Sequence, residues 1–508
     1  MTKETTRIAR GATAVFSGSM VSNLLTFAYY VVITHTLPVY SLGVLYSLNL
    51  VSGFASTFLL LQLPGGFSRF VVGHFQTGRL EEARYLFRRG LVFATAISAG
   101  SAPALIVLAP LITRWLFGSP SYLTFFYLVV VDFVFYTYNS FLGIAVSARR
   151  IFGFGSLMGV ASTAVRVGVA FALIFTGHGL VSVFYGWIAS DVLGLAANLY
   201  FSRPLLVGGG RRVGLWEVVS YSLPFFVASG LVVALQNVDR LFVLKYLGTI
   251  SLGVYGTLLI ASNIPKILPN SLSSTLFPAM VKFEEERSLT RGVVSKAVRY
   301  MAMINLPVLG LVAALGEPLL HLFLGRSFFG AWTAFAILVF GGGAMSLDIP
   351  ITQVLLAKKR TKVLAVQQLV SSLTLGSLAL LLIPRFYLDG AALAYVLARI
   401  MGFVVVGFGV YRLGLFSVKW RDYIESLGVT GAMVAATLVF ESYTHFSTYM
   451  LPLYVLAGSV LGLVVAKGVG LLHGEDYSEV LDFFPPRLRG FVAWLWKAFG
   501  FPTPSGNP

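Results

Sequence analysis

The chain is 508 residues long, 57% hydrophobic and only 11% charged, with a mean hydropathy of +0.84 and a formal net charge of +17. A soluble globule needs more polar surface than this to face water, so a water-soluble fold is excluded. With no Cys there is no disulfide, no thiolate nucleophile and no Cys metal site, and the six His fall in no metal-ligand spacing.

An apolar stretch of about 20 residues crosses the hydrocarbon core as a helix, and about fourteen such stretches are expected here, making an all-α polytopic membrane protein. The first, over 11–37, follows Lys3, Arg7 and Arg10 as a signal peptide would. It is too long for one, leads straight into further spans and lacks a convincing cleavage site, so it is expected to be the first transmembrane helix. Spans over 41–75, 90–117, 121–147, 152–176 and 178–201 follow. Then come 219–247, 250–283, 299–325, 328–357, 362–385 and 388–411, with a final pair near 422–443 and 449–472. The second and eighth are longer than a crossing needs. Pro64, Gly65 and Gly66 interrupt one and Pro265, Pro269 and Pro278 the other, so both are expected to tilt or bend. Pro103, Pro224, Pro307 and Pro350 predict further kinks, while His35 and His178 fall at external helix ends in structural positions. Beyond the last span, the segment from Glu479 to Phe499 sets Phe491, Trp494, Trp496 and Phe499 among Arg487, Arg489 and Lys497, which predicts an interfacial segment at the cytoplasmic surface.

Basic residues in short loops stay on the cytoplasmic side. By this segmentation the N-terminus, alternate loops and tail hold 28 of the 37 Lys and Arg, against Arg114, Lys245, Arg326 and Arg385 on the other side. Both termini are therefore expected in the cytoplasm of a multi-pass cell-membrane protein. The positive charge reads as anchoring to anionic lipid, since no basic and aromatic patch argues for nucleic acid.

Internal similarity organises the spans. SLGVLYSL at 41–48 returns as SLGVYGTLL at 251–259, an offset of 210 residues. Leu116, Phe117 and Gly118 parallel Phe323, Leu324 and Gly325, and the basic loop at Arg149 parallels the one at Lys358. Two six-helix halves are expected, at 1–210 and 211–415, followed by the last two helices at 416–473 and a cytoplasmic segment at 474–508. An even number of spans per half gives both the same orientation. They should then relate by an axis along the membrane normal, with a site between them near the midplane.

The stretch NVDRLFVLKYLGTISLGVYGTLLIASNIPKILPNSLSSTLFPAM, residues 237–280, resembles the seventh and eighth helices of the polysaccharide-type flippases. Those belong to the multidrug/oligosaccharidyl-lipid/polysaccharide (MOP) exporter superfamily, with the multidrug and toxic compound extrusion transporters and the lipid II flippases. The pieces that carry the resemblance are Asp239 and Arg240, the Gly253, Val254, Tyr255 turn, and Phe277 with Pro278. More loosely, ARGATAVFSGSMVSNLLTFAYYVVITHTLPVYSLGVLYSL at 9–48 is similar to the family's N-terminal pattern. It departs from it in having Thr34, His35 and Thr36 where a basic residue is usual near the end of the first helix. The pattern extends over about 5–412, and the final pair of helices matches the fourteen-helix members. The resemblance implies export of an isoprenoid-linked, phosphate-bearing oligosaccharide from the cytoplasmic to the outer leaflet by alternating access of two helix bundles. Membrane lipids and glycan-assembly enzymes are the further partners expected.

Five basic residues lie within the spans, Arg69, Arg166, Arg240, Lys266 and Arg399, together with four acids, Asp132, Asp191, Asp239 and Asp348. A bare cation at mid-membrane costs at least about 2.5 kcal/mol, so each needs a cavity or a partner. A diphosphate crossing the bilayer requires cations at successive depths, and Arg holds phosphate through planar bidentate contacts. The alternative is that the cations pair with the four acids and hold helices together. Asp239 and Arg240 are adjacent, point about 100° apart on a helix and therefore each need another partner. An unpaired carboxylate, Asp132 or Asp191 by depth, is a candidate for Na+ or proton coupling. The amides Asn23, Asn49, Gln62 and Gln236 either glue helices together or meet sugar hydroxyls.

Enzymatic readings fare worse. A membrane glycosyltransferase needs a site, yet the external loops are short, no Asp-x-Asp pair occurs and no nucleophile stands beside a base. No phosphate-binding loop of the Gly-x-x-x-x-Gly-Lys type is present, so ATP hydrolysis by this chain is not expected and an ion gradient or substrate flux must drive transport; no resident cofactor is expected, with Na+ or H+ as the candidate coupling ion. An organic-cation antiporter of the same superfamily is the rival transporter. Five intramembrane cations argue against it.

Overall fold

A computed structural model describes residues 3–263, 265, 287–358, 360–414, 420–444, 448–474, 476–477, 481 and 486–502. Among these no strand occurs, and eleven helices are long and apolar enough to cross a membrane. Helices satisfy every backbone group within one segment, which is what a chain this apolar needs in lipid. The chain forms two compact units, Met1–Gly256 and Thr257–Pro508.

The first unit begins with α1 (Lys3–Thr36), α2 (Val39–Leu60), α3 (Leu63–Gln76) and α4 (Leu80–Phe117). The break expected in the second span is real, and it falls just before Pro64. Leu61 (φ 50°) and Gln62 (φ 54°) take the left-handed turn, and Pro64 sits in the first turn of α3, where its missing N–H removes no helix bond. In α4, Glu81 and Glu82 oppose the N-terminal dipole, Arg114 the C-terminal one, and Gly118 (φ 66°) closes the helix by bonding back to the Arg114 carbonyl. Pro103 and Pro110 lie inside α4 without ending it.

Next come α5 (Leu123–Leu142), α6 (Ile144–Ala148), α7 (Phe152–Phe175), α8 (Val181–Leu206), α9 (Leu215–Gln236) and α10 (Val238–Ala261). The expected span at 219–247 is in fact divided, because Asn237 leaves helical geometry between α9 and α10. The boundary expected at 247–250 is a kink at Gly248 (φ 82°, ψ −177°), a conformation open to Gly and strained for other residues. The part of the eighth span beyond Pro265, with Lys266, Pro269 and Pro278, lies outside the described residues.

Packing in this unit is tight. Phe67, Leu86, Phe87, Phe141 and Leu205 form a buried core between α3, α4, α5 and α8. The two copies of the repeated segment meet each other, since a Cβ on Gly43 would strike the Thr249 carbonyl and one on Gly253 would strike Val39 and the Gly43 backbone. Glycine at both positions lets α2 and α10 touch backbone to backbone, which is how membrane helices gain packing energy without a hydrophobic drive.

The second unit holds α11 (Arg287–Ala314), α12 (Gly316–Phe323), α13 (Trp332–Ala344), α14 (Asp348–Ala357), α15 (Thr361–Arg412), α16 (Trp420–Thr444), α17 (Leu451–Val469) and α18 (Pro486–Ala498). The helix expected from 299 starts at Arg287, and the one expected over 328–357 is split by a short 3-10 turn at Met345–Leu347. The 52-residue α15 kinks at Tyr387 (φ 52°, ψ −126°), between the spans expected at 362–385 and 388–411. Val294, Val298, Ile351, Val354, Val406 and Val410 bury one another in its core. At the other end Trp496 of α18 is only 5% exposed, packs with Leu471 and Phe501, and donates its indole N–H to the Pro502 carbonyl at 3.0 Å. The expected interfacial segment is thus partly turned inward, with Trp496 in the core and Trp494 61% exposed. Arg299 fastens this region, reaching Asp422 at 3.1 Å and Asp476 at 3.0 Å, while the Tyr300 hydroxyl donates to Asp476 at 2.7 Å.

Candidate functional site

In the first unit, α7 packs against α1 and α8, and this brings Arg166 beside two tyrosines of α1. The Arg166 guanidinium lies 5.9 Å from the Tyr29 ring centroid, within cation–π range, and interacts electrostatically with Tyr30. It also lies in the field of Asp132 on α5 and Asp191 on α8, which act on each other as well. Neither acid forms a contact ion pair with it among the described residues, and its Nε has no hydrogen-bond partner there. A polar seam supports the acids. Asn198 Nδ2 donates to Asn139 Oδ1 at 3.1 Å, and Asn139 Nδ2 donates to the Asp191 backbone carbonyl at 2.9 Å.

Tyr30 also feels Arg240, so one phenol stands in the fields of two of the five cations. Arg240, at the start of α10, donates from Nη1 to Asn237 Oδ1 at 3.0 Å. Its neighbour Asp239 is 1% exposed and accepts the Tyr255 hydroxyl at 2.8 Å on Oδ2, while its Oδ1 has no partner among the described residues. Each of these adjacent residues has its own partner, as their divergence on a helix requires. Arg69 is separate, set 4.3 Å over the Tyr221 ring of α9. Lys266 lies outside the described residues.

In the second unit, Arg399 of α15 approaches Asp348 of α14, Nη2 to Oδ2 at 3.8 Å, and Gln367 Nε2 donates to the same oxygen at 3.4 Å. Asp348 is 9% and Arg399 39% exposed at the side chain. The two sites differ in chemistry. Around Arg166, two carboxylates share one cation that keeps donor capacity, an arrangement able to exchange a proton or hold an anion. Arg399 has a carboxylate 3.8 Å away, and its Nε, like that of Arg166, has no hydrogen-bond partner among the described residues.

Sequence reasoning missed Tyr29, Tyr30, Asn139, Asn198, Tyr221, Tyr255 and Gln367. A buried Tyr or Asn in lipid must find a partner, which is a signal of a kind. The partner itself depends on which helices become neighbours.

Comparison with known proteins agrees with the fold. The family profile described as polysaccharide biosynthesis protein matches residues 32–333. No protein of curated function matches. Among solved structures, the chain is similar to the lipid II flippase MurJ in an inward closed conformation, with a TM-score of 0.67 and 13% identity over 89% of this chain and 98% of that one. It is also similar to an inward-facing multidrug resistance MATE family transporter of the MOP superfamily (TM-score 0.59, 14% identity, 79% of this chain and 98% of that one). A third is a MOP superfamily transporter from Pyrococcus furiosus, described by a reverse polarity of its binding pocket that suggests a different function (TM-score 0.52, 14% identity, 80% and 95%). At these identities the structural likeness establishes the fold, a MOP-type transporter fold. The family match covers more than half of the sequence, and the chain belongs to the polysaccharide biosynthesis protein family.

Proposed function

We propose that the protein flips an isoprenoid (di)phosphate-linked oligosaccharide from the cytoplasmic to the outer leaflet of the cell membrane, for surface polysaccharide or glycoprotein assembly. It does so by alternating access of two parallel six-helix halves, with two more helices bringing the spans to fourteen and both termini in the cytoplasm. The observation that carries this reading is Arg166, a cation within a span that has two tyrosines beside it and an Nε without a hydrogen-bond partner among the described residues. Such a group favours a phosphate, which it meets through bidentate charge-assisted bonds. Arg240, Lys266, Arg69 and Arg399 extend the path, and the last releases Asp348 as substrate passes. The Pyrococcus furiosus transporter, whose binding pocket of reverse polarity suggests a different function, is a precedent for this fold serving more than one function. Asp132 and Asp191 couple the cycle to protons or Na+ through the cation they share. The protein does no covalent chemistry of its own, and its partners besides substrate are membrane lipids and glycan-assembly enzymes.

The test is translocation of a fluorescent lipid-linked oligosaccharide in proteoliposomes, with and without Na+ and proton gradients. Wild type should move it and Arg166→Ala should not, with both inserted equally. Uptake of organic cations without lipid movement would replace this reading by that of an antiporter, and sugar transfer between lipids by that of a glycosyltransferase.

A further inference from the structure

One guanidinium holds the chain that follows α17 against the rest of the second unit. Arg299 of α11 donates from Nη1 and Nη2 to the two carboxylate oxygens of Asp476, at 3.1 and 3.0 Å, as a bidentate pair. The same Nη2 reaches the Leu471 carbonyl at 3.3 Å and His473 Nδ1 at 2.8 Å, while Nε faces Asp422 of α16 at 3.1 Å. The Asp476 N–H closes a turn on the His473 carbonyl at 3.0 Å. This hub is continuous with an apolar seat. Tyr477, next to Asp476, sets its ring edge to Trp496 of α18 at 5.5 Å, and Phe501 meets Trp496 at 5.4 Å. Trp496 and Leu471 pack there with Met303 of α11 and with Val429 and Met433 of α16. Because hub and seat are joined through adjacent residues, they form and part together.

The composition of α18 suits a second place as well. It carries Arg487, Arg489 and Lys497 and no acid, with Phe491, Trp494 and Trp496 among them, and Trp494 is 61% exposed. A basic helix with aromatic residues settles on an anionic bilayer surface. Trp496 cannot lie in the core of the unit and on lipid at once, so the two positions exclude each other. The first unit has a related hub without such a helix. Arg88 of α4, 211 residues before Arg299, donates to the Gly208 carbonyl, and Arg84 donates to the Pro204 carbonyl at 3.0 Å. The segment held there is the short link into α9.

We propose that α18 is a two-position strap, docked on α11 and α16 through Arg299 and drawn off to the membrane surface by anionic lipid, and that docking restrains transport. Docked, Arg299 ties α11 to α16 and to the turn after α17, three parts of the unit that are far apart in sequence. Pro307 lies inside α11 eight residues beyond Arg299, and a proline is where a helix bends. The strap therefore fixes the end of α11 on one side of its natural bend, and release lets that end move. The restraint on transport rests on the flippase reading above, whereas the two positions of α18 do not.

The chain has no Cys, so Gly292→Cys on α11 and Ala498→Cys on α18, both exposed positions, give two unique sites for spin labels. The full labelled chain is reconstituted in phosphatidylcholine with and without phosphatidylglycerol. The distance between labels is read by pulsed electron spin resonance, and translocation of lipid-linked oligosaccharide is followed in the same vesicles. Phosphatidylcholine should give one narrow distance, and phosphatidylglycerol should add a broad second component with several-fold faster translocation. Arg299→Gln should show the broad component and the faster rate in phosphatidylcholine alone. Arg487→Gln, Arg489→Gln and Lys497→Gln together should keep the narrow distance and abolish the response to phosphatidylglycerol. The lipid comparison leaves the hub untouched, so it stands even where Arg299→Gln folds poorly. A distance unchanged by phosphatidylglycerol, or still narrow in Arg299→Gln, overturns the strap. Displacement with no change in rate overturns the restraint on transport and leaves the flippase reading intact. Displacement as expected in vesicles that move no lipid-linked oligosaccharide upholds the strap and refutes the flippase reading.

Discussion

Arg166 and Arg399 carry the same charge inside spans of the two units, and each keeps an Nε without a hydrogen-bond partner among the described residues, yet their charged neighbours differ. Around Arg399 a single carboxylate approaches to 3.8 Å and Gln367 donates to that same oxygen. Around Arg166 two carboxylates act from separate helices, no contact ion pair forms among the described residues, and the Tyr29 ring lies 5.9 Å from the guanidinium. A carboxylate within ion-pair distance offsets more of a guanidinium's charge than carboxylates acting only through their fields. The comparison teaches that intramembrane cations of one chain differ in the partners that packing brings to them, here an ion pair for one and an aromatic ring with two distant carboxylates for the other.

The largest effect expected is on transport. Arg166→Ala should reduce translocation by about a hundredfold or more, while Arg166→Lys retains part of it, because Lys keeps charge but loses the bidentate fork. Equal loss in both variants would mean that Arg166 holds helices together after all, and thermal melting in detergent would then show both destabilised. Next, Asp348→Ala should lower stability by about 1–3 kcal/mol, discounted for the half-exposed Arg399. Asp348→Asn combined with Arg399→Gln should regain most of it, as a double-mutant cycle on melting would measure. No coupling in that cycle would erase the contrast between the two cations. A smaller change is expected for Asp132→Asn and Asp191→Asn, which should make translocation several-fold less responsive to a proton or Na+ gradient while sparing assembly. Flux assays at matched expression check it, and unchanged gradient dependence sends coupling elsewhere.

The smallest effect lies outside the spans. Burial pushes the Asp476 carboxyl up, but bonds from the His473 backbone N–H, the Tyr300 hydroxyl and Arg299 outweigh it, so the group titrates below its usual range. A depressed folded value means that the contact stabilises the C-terminal segment fully above about pH 4 and is lost as pH falls below that. Asp476→Asn should therefore loosen Trp496 at neutral pH by about 1–2 kcal/mol, seen as a fluorescence change that acid produces in the wild type.

Much of the architecture was legible because lipid leaves the backbone so few options. The kinks at Gly248 and Tyr387 fall where one apolar run yields to another, and the break at Leu61 and Gln62 lies beside the Pro64 that announced it. Helix ends in the aqueous loops were not legible, since α11 runs back to Arg287 through a polar sequence that forms helix as readily as loop. Asn237 gave no warning either, for a single residue leaving helical geometry changes no hydropathy average. Of the site, the residue types could be read from the cost of charge in lipid. Their partners, such as Tyr255 for Asp239 and Tyr221 for Arg69, depend on which helices pack side by side, and neither pairing follows from spacing along the chain.

The helix that carries Asp191 and Asn198 has a consequence for how the protein is made. α8 carries Asp191 within an otherwise apolar span, and that carboxylate alone adds about 3 kcal/mol to the cost of entering lipid. α7 precedes it directly and carries the Arg166 whose field reaches that carboxylate, while Asn139 of α5 is ready to bond the Asp191 carbonyl. α8 would therefore leave the translocon in company with helices already waiting at the channel wall. The polar contacts that join α5, α7 and α8 would then bear on the order in which these helices come together as the chain is made.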